Sequence, residues 1–315
     1  MTPTVEQAYA ICRRIARREA KNFYYAFVAL PRQKRNAICA VYAFMRHADD
    51  LSDDETLSRE QRRRNLDAWL AAWHAAAQGG HTNDPVFIAL RDAQAHFHIT
   101  TELLDQLVHG TAMDLHTGQH NPSGPGSDAV HPLHLDTYAT FADLYRYCYY
   151  VASVVGLVCI RIFGYSDPQA EKLAEETGIA FQLTNILRDI REDAARGRIY
   201  LPIEDLDRFG VSLHDILDLK DGHHLTLNQR ELLEFEAGRA EKYYQSGHAL
   251  LPLISPDARP ALWVLVAIYH RLLQRIAARN YDVFSHRISV PTFAKLMILA
   301  RGLLRILLAR LRGGS

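Results

Sequence analysis

Val41-Tyr-Ala-Phe-Met-Arg-His-Ala-Asp-Asp-Leu-Ser-Asp-Asp54 is the stretch on which the reading of this chain turns. Its first half is apolar enough to be buried, and its second half carries four carboxylates in six positions. Asp49 and Asp53 are four apart, as are Asp50 and Asp54. On a helix such pairs share a face and repel by a few tenths of a kcal/mol, roughly. Tyr42, Arg46, Asp49 and Asp53 fall at i, i+4, i+7 and i+11, which makes one polar stripe on an otherwise apolar helix. Phe181-Gln-Leu-Thr-Asn-Ile-Leu-Arg-Asp-Ile-Arg-Glu-Asp193 repeats the design. Gln182, Asn185, Asp189 and Asp193 take i, i+3, i+7 and i+11, while Phe181, Leu183, Ile186, Leu187 and Ile190 form a separate apolar set. One Asp-x-x-x-Asp helix is usually a solvated face. Two, each on an apolar helix, point to a shared purpose.

Outward from these stretches the pattern is helical nearly throughout, with apolar residues recurring at three and four and no sustained alternation. Strands are not expected. The breaks are Ala29–Pro31, Gln78–Pro85, a long loop over about 117–134, Asp221-Gly-His-His and Ser255–Pro260. No repeat of fixed period interrupts them. The expected fold is all-α, one domain of 315 residues, with ten to twelve helices around a central cavity.

Composition narrows the function. Lys plus Arg equal Asp plus Glu at 36 each, and 48% of residues are apolar. Disorder requires the opposite, and a nucleic-acid partner would call for a basic excess. Cys12, Cys39, Cys148 and Cys159 show no Cys-x-x-Cys spacing, which reads as a reducing, cytoplasmic setting. The N-terminus lacks a basic region followed by an apolar run, so no signal peptide is expected. The uncharged run Tyr147–Ile160 is short for a spanning helix and reads as a fully buried core helix.

Two opposed carboxylate pairs suit Mg²⁺, a hard cation held by one or two carboxylates together with substrate phosphates. A di-iron bundle would need Glu-x-x-His motifs, and no Glu is followed by His at that spacing. Phosphate-loop, His-Glu-x-x-His and Gly-x-Gly-x-x-Gly patterns are also missing from the sequence.

The chain resembles the squalene/phytoene synthases, the head-to-head isoprenoid synthases. The resemblance is carried by Asn22–Pro31, Ala40–Asp50, Tyr147–Gly156, Gln182–Asp193 and Arg198–Pro202, within about residues 8–295. It implies that Asp49, Asp53, Asp189 and Asp193 bind Mg²⁺ and two prenyl diphosphates from opposite walls. It implies support of diphosphate or metal by Arg46, Gln182, Asn185 and Arg188. Tyr42, Tyr147 and Tyr269 would stand near the reacting centre, and Arg198, Tyr200 and Arg287 near the diphosphates. Phe23, Phe27, Val151, Val155, Gly156 and Gly178 would shape the prenyl pocket, the two glycines by letting substrate approach the helix backbone. Asn22 would join the substrate contacts; many members have Ser there, and also where this chain has Ala20. The implied activity is Mg²⁺-dependent joining of two farnesyl diphosphates to presqualene diphosphate and on to squalene, with NADPH as reductant in that case. Its alternatives are phytoene synthase acting on geranylgeranyl diphosphate, dehydrosqualene synthase, or a silent partner-binding homologue.

Other polar features read more plainly. His109, His116, His120, His131 and His134 are expected to be solvated, and Asp114 to be polar lining or a helix-end carboxylate. The last helix, from Lys295 on, sets apolar residues against Arg301, Arg305, Arg310 and Arg312. Residues 296–315 are expected to pack on the domain, with peripheral contact to the inner face of a membrane as the competing expectation.

Overall fold

In the computed structural model, residues 2–116, 136–218 and 225–312 are described, with side chains throughout except at 21, 22, 114–116 and 305–312. Helix starts follow local chemistry. Thr4 caps α1 (Val5–Glu19) in a reciprocal box with Gln7. After α2 (Lys21–Val28), Pro31 starts α3 (Arg32–Ser52). Ser58 caps α4 (Arg59–Ala77), and Asp84 followed by Pro85 opens α5 (Pro85–Phe97). α6 (Thr101–His116) leads to the segment 117–135, outside the described residues, where the expected long loop and His120, His131 and His134 fall.

Thr140 boxes α7 (Phe141–Cys148), which runs through a π turn (Tyr149–Ser153) into α8 (Val154–Phe163). α9 (Gln169–Ala195) is 27 residues long. α10 (Ile203–Arg208) and α11 (Leu213–Leu217) are short, α12 (Leu227–Leu250) and α13 (Arg259–Ala277) long, and α14 (Thr292–Arg312) ends the chain. The expected turn at 221–224 lies outside the described residues.

α9 is the pillar of the bundle, packed by α12, the π turn, α8, α13 and α7. The buried apolar residues form one connected core. Between α3, α4 and α5, Phe44 packs on Trp69 (ring centroids 4.6 Å), Trp73 (5.3 Å) and Phe87 (6.5 Å). Such pairs add about 0.5–1.5 kcal/mol each beyond burial, so the helix bearing Asp49 is firmly seated.

Three expectations need correction. The described residues contain fourteen α-helices, not ten to twelve, because α10 and α11 have 6 and 5 residues and are too short to show a period. Two two-residue strands do form: β1 (Asp136–Thr137) pairs in parallel with β2 (Arg198–Ile199). The run Tyr147–Ile160 is not one fully buried helix. It is broken by the π turn, and Tyr149, Tyr150, Val151, Val155 and Gly156 are only half-buried. Phe141–Phe163 is long and apolar enough to cross a membrane by length and composition, yet it is clasped by α6 and α9. All four cysteines are unpaired.

Candidate active site

Helix polarity frames the site. A helix C-terminus carries partial negative charge and favours cations. α1 obeys, with Arg17 and Arg18 in its last turn. α3 and α9 do not. Neither has a basic residue in its last turn, and each places its acidic stripe there. At the end of α3, Asp53 is the capping residue and exposed, while Asp49 is half-buried. Asp50 is held by Arg46 at 2.5 Å and Asp54 by the Thr56 hydroxyl at 2.5 Å. Both helices thus end in carboxylates that the macrodipole opposes, which a bound cation would relieve.

On α9 the stripe is more deeply set. Asp189 accepts from Arg188 Nε (2.8 Å) and from Arg287 Nε (3.1 Å) and Nη2 (2.8 Å). Burial pulls its carboxyl up, but the two guanidiniums outweigh this and hold it below the ordinary value. Asp193, one turn on, is pushed up to about 6, first by burial and then by the charge of Asp189. Asn185 Nδ2 donates to Gln182 Oε1 at 3.4 Å, while Asn185 Oδ1 is buried without a hydrogen-bond partner. A buried orphan oxygen in line with two carboxylates fits a hard cation. Among the described residues, no three His, Cys, Asp or Glu side chains gather closely enough to hold a metal by themselves. A cation here must be completed by water and phosphate oxygens, as Mg²⁺ usually is.

α8 packs against both α3 and α9, and α2 and α13 connect the two on another side. This second connection is aromatic. Tyr42 meets Phe27 edge-on (6.1 Å), Phe23 meets Tyr269 (5.6 Å), and Tyr269 stacks on Phe181 (4.5 Å). Burial raises the Tyr42 and Tyr269 phenols to about 12, so both stay neutral.

A second group gathers beyond Asp193. β2 carries Arg198, which lies 4.0 Å from Asp136 on β1. The Tyr147 hydroxyl donates to that of Tyr200 at 3.2 Å, with the rings stacked at 5.0 Å. Tyr138 stacks on Tyr200 at 5.9 Å. Asp193, Arg198, Tyr200, Ile186, Ile190 and Ile216 line one small cavity. The side chain of Asn22 lies outside the described residues.

The two glycines have another reason. A Cβ on Gly178 would lie 2.6 Å from Ser153 Cα, and one on Gly156 would lie 3.0 Å from the Ala174 carbonyl oxygen. They let α9 approach the π turn and α8, a packing role beside the substrate approach that the sequence suggests. Sequence reasoning missed Tyr138, Asp136 and Lys295. Lys295, on α14, sits over the Tyr25 ring at 5.8 Å. Burial, then repulsion from Arg188, lowers its ammonium from the ordinary value. Nothing in the spacing of the last helix marks that residue.

An all-helical bundle with two acidic helix ends and aromatic walls defines an isoprenoid-synthase class of enzyme. The profile of the squalene/phytoene synthase family matches residues 16–294. A phytoene synthase of Arthrospira platensis is 34% identical over 315 residues, covering 96% of this chain and 94% of its own. A dehydrosqualene synthase structure matches with TM-score 0.79 and 31% identity, covering 95% of this chain and 96% of the other. A squalene synthase structure from Alicyclobacillus acidocaldarius matches with TM-score 0.75 and 30% identity, covering 88% and 96%. The chain belongs to the squalene/phytoene synthase family, whose members join two prenyl diphosphates head to head.

Proposed function

We propose that the protein condenses two farnesyl diphosphates, with Mg²⁺, to presqualene diphosphate and then squalene. The observation that carries the metal-dependent reading is the pair of acidic stripes set against the dipoles of α3 and α9, with the Asn185 oxygen buried and unpaired beside one of them. Asp49, Asp53, Asp189 and Asp193 would hold the metal, which supplies charge neutralisation of the leaving diphosphate.

The chain's own groups then divide the work. Arg46, Arg188 and Arg287 offer guanidinium donors to diphosphate oxygens, and Arg188 and Arg287 already grip Asp189, one of the carboxylates that would hold the metal. Phe23, Phe27, Tyr42, Phe181 and Tyr269 exclude water and turn π faces to allylic cations, worth about 0.5–2 kcal/mol each. In the first step one C1–O bond breaks, the double bond of the second farnesyl chain bonds to that carbon, and a proton leaves to the expelled diphosphate. Presqualene diphosphate and the diphosphate that has taken up the proton result. Reduction to squalene releases the second diphosphate and takes a hydride from NADPH.

The curated relatives favour a second reading, in which two geranylgeranyl diphosphates give phytoene, since those at 34–36% identity are named phytoene synthases. One incubation series separates the two. Farnesyl or geranylgeranyl diphosphate is supplied with Mg²⁺, with and without NADPH, and products are identified by mass. A thirty-carbon product is expected. A forty-carbon product from geranylgeranyl diphosphate, with farnesyl diphosphate untouched, would replace the first reading by the second.

A further inference from the structure

Arginine donors fill the Asp189 carboxylate. Its Oδ1 accepts from Arg188 Nε (2.8 Å), Arg287 Nε (3.1 Å) and Arg287 Nη2 (2.8 Å), and its Oδ2 accepts from Arg188 Nη2. An ionised carboxylate has about four lone-pair sites, so these bonds leave none over. A cation that takes Asp189 as a ligand must displace a guanidinium. The two arginines are not equally free to leave. Arg188 is the next residue on α9, and its side chain is 16% exposed. Arg287 comes from the connection between α13 and α14, is 56% exposed and holds one oxygen only. Arg287 is therefore the one that yields. The backbone around it is pinned, because Ile288 and Val290 are buried and Arg191 Nη1 donates to the Phe284 carbonyl at 2.6 Å. The exchange is a side-chain movement.

A destination lies beside it. Glu192 follows Asp189 by three residues along α9, so the two are neighbours on the helix surface. Its Oε1 is 3.7 Å from Arg287 Nε, an ion pair too long for a hydrogen bond. Its Oε2 is buried and has no hydrogen-bond partner. A buried acceptor without a donor is costly, and a swing of the Arg287 guanidinium toward Glu192 would supply one. Without Glu192 the displaced guanidinium would exchange a carboxylate for water. With Glu192 it exchanges one carboxylate for another, which lowers the cost of freeing Asp189. We propose that Glu192 is a positioning residue that takes Arg287 from Asp189 when the cation enters. This rests on the reading that Asp189 holds the metal. Arg287 is then the counter-ion of Asp189 in the cation-free protein, and Glu192 keeps it beside the site afterwards.

The test is Mn²⁺ binding to the full chain without substrate or diphosphate, the free ion being counted by electron paramagnetic resonance. Mn²⁺ takes the same octahedral oxygen ligands as Mg²⁺. The parent is compared with Glu192→Gln, Arg287→Gln and the two combined, each checked for unchanged circular dichroism. Arg287→Gln removes the competitor and should tighten Mn²⁺ binding about fivefold or more. Glu192→Gln removes the receiving carboxylate and should weaken it by a factor of about five. The combined variant should bind like Arg287→Gln, because Glu192 then has no guanidinium to receive. Equal weakening by Glu192→Gln with and without Arg287 would overturn the proposal and make Glu192 a direct partner of the cation. Arg287→Gln binding no tighter than the parent, or Glu192→Gln binding no weaker, would overturn it too. Absence of Mn²⁺ binding from all four proteins would overturn the metal reading of the site, and this proposal with it.

Discussion

At Asp189 one carboxylate is gripped by two arginines, Arg188 beside it and Arg287 from 98 residues away. Its neighbour Asp193 feels burial and the Asp189 charge. Loss of the Asp189 carboxylate takes that partner from both arginines, leaving Arg287 with Glu192 at 3.7 Å, and removes a ligand of the proposed cation. Asp189→Ala is expected to lower turnover by about 10²–10³ or more, and Asp49→Ala likewise, with unchanged circular dichroism. Full activity of either variant under Mg²⁺ would refute the assigned roles. The stripe through Gln182, Asn185, Asp189 and Asp193 was legible because one helix face is a local property of sequence. The hold of Arg287 on Asp189, and the nearness of Lys295 to Arg188, were not, because loop and helix approach them from distant sequence.

Elements meet where side chains permit, and one glycine on α9 and one on α12 show the two cases. Gly178 faces the π turn with no room for a methyl group, while Gly238 on α12 has nothing within 4 Å. Gly178→Ala should therefore cost about 1–3 kcal/mol in denaturant unfolding, despite the helix propensity it adds. Gly238→Ala should gain about 0.5–1 kcal/mol. On the same α12, Glu236 and Arg239 meet Asp205 of α10, with Arg239 Nη1 2.8 Å from an oxygen of each carboxylate. Burial first, then Asp205, raises the Glu236 carboxyl above its ordinary 4.5, against the pull of Arg239. A raised folded-state value means the folded form binds the proton more tightly. The stability this contributes is present below 4.5 and lost as pH rises above it. Glu236→Gln should flatten the fall of melting temperature from acid toward alkaline pH, and an unchanged slope would show that Glu236 does not titrate in this way. The glycines were visible in the sequence, but their partners were not, since the π turn has no periodic signature.

For the whole molecule, the metal is expected to serve chemistry rather than folding. The core is one connected apolar cluster, and among the described residues no protein-only metal cage exists. Chelation should abolish turnover while leaving the melting temperature where it was. Mg²⁺ with inorganic diphosphate should raise stability, by about 2.7 kcal/mol at a hundredfold excess over Kd. Mg²⁺-free protein that melts markedly earlier would make the metal structural.

The sequence by itself determined the long helices, the acidic face of two of them and the amphipathic character of the last, because a 3.6-residue period and its end signals are local. Tertiary structure alone decided which faces meet: Tyr147 with Tyr200, Arg287 with Asp189, Gly178 with the π turn, and the inner face of α14 with α13. Those pairings depend on how helices distant in sequence cross, and helix crossing is set by packing across the core rather than by any period within one segment.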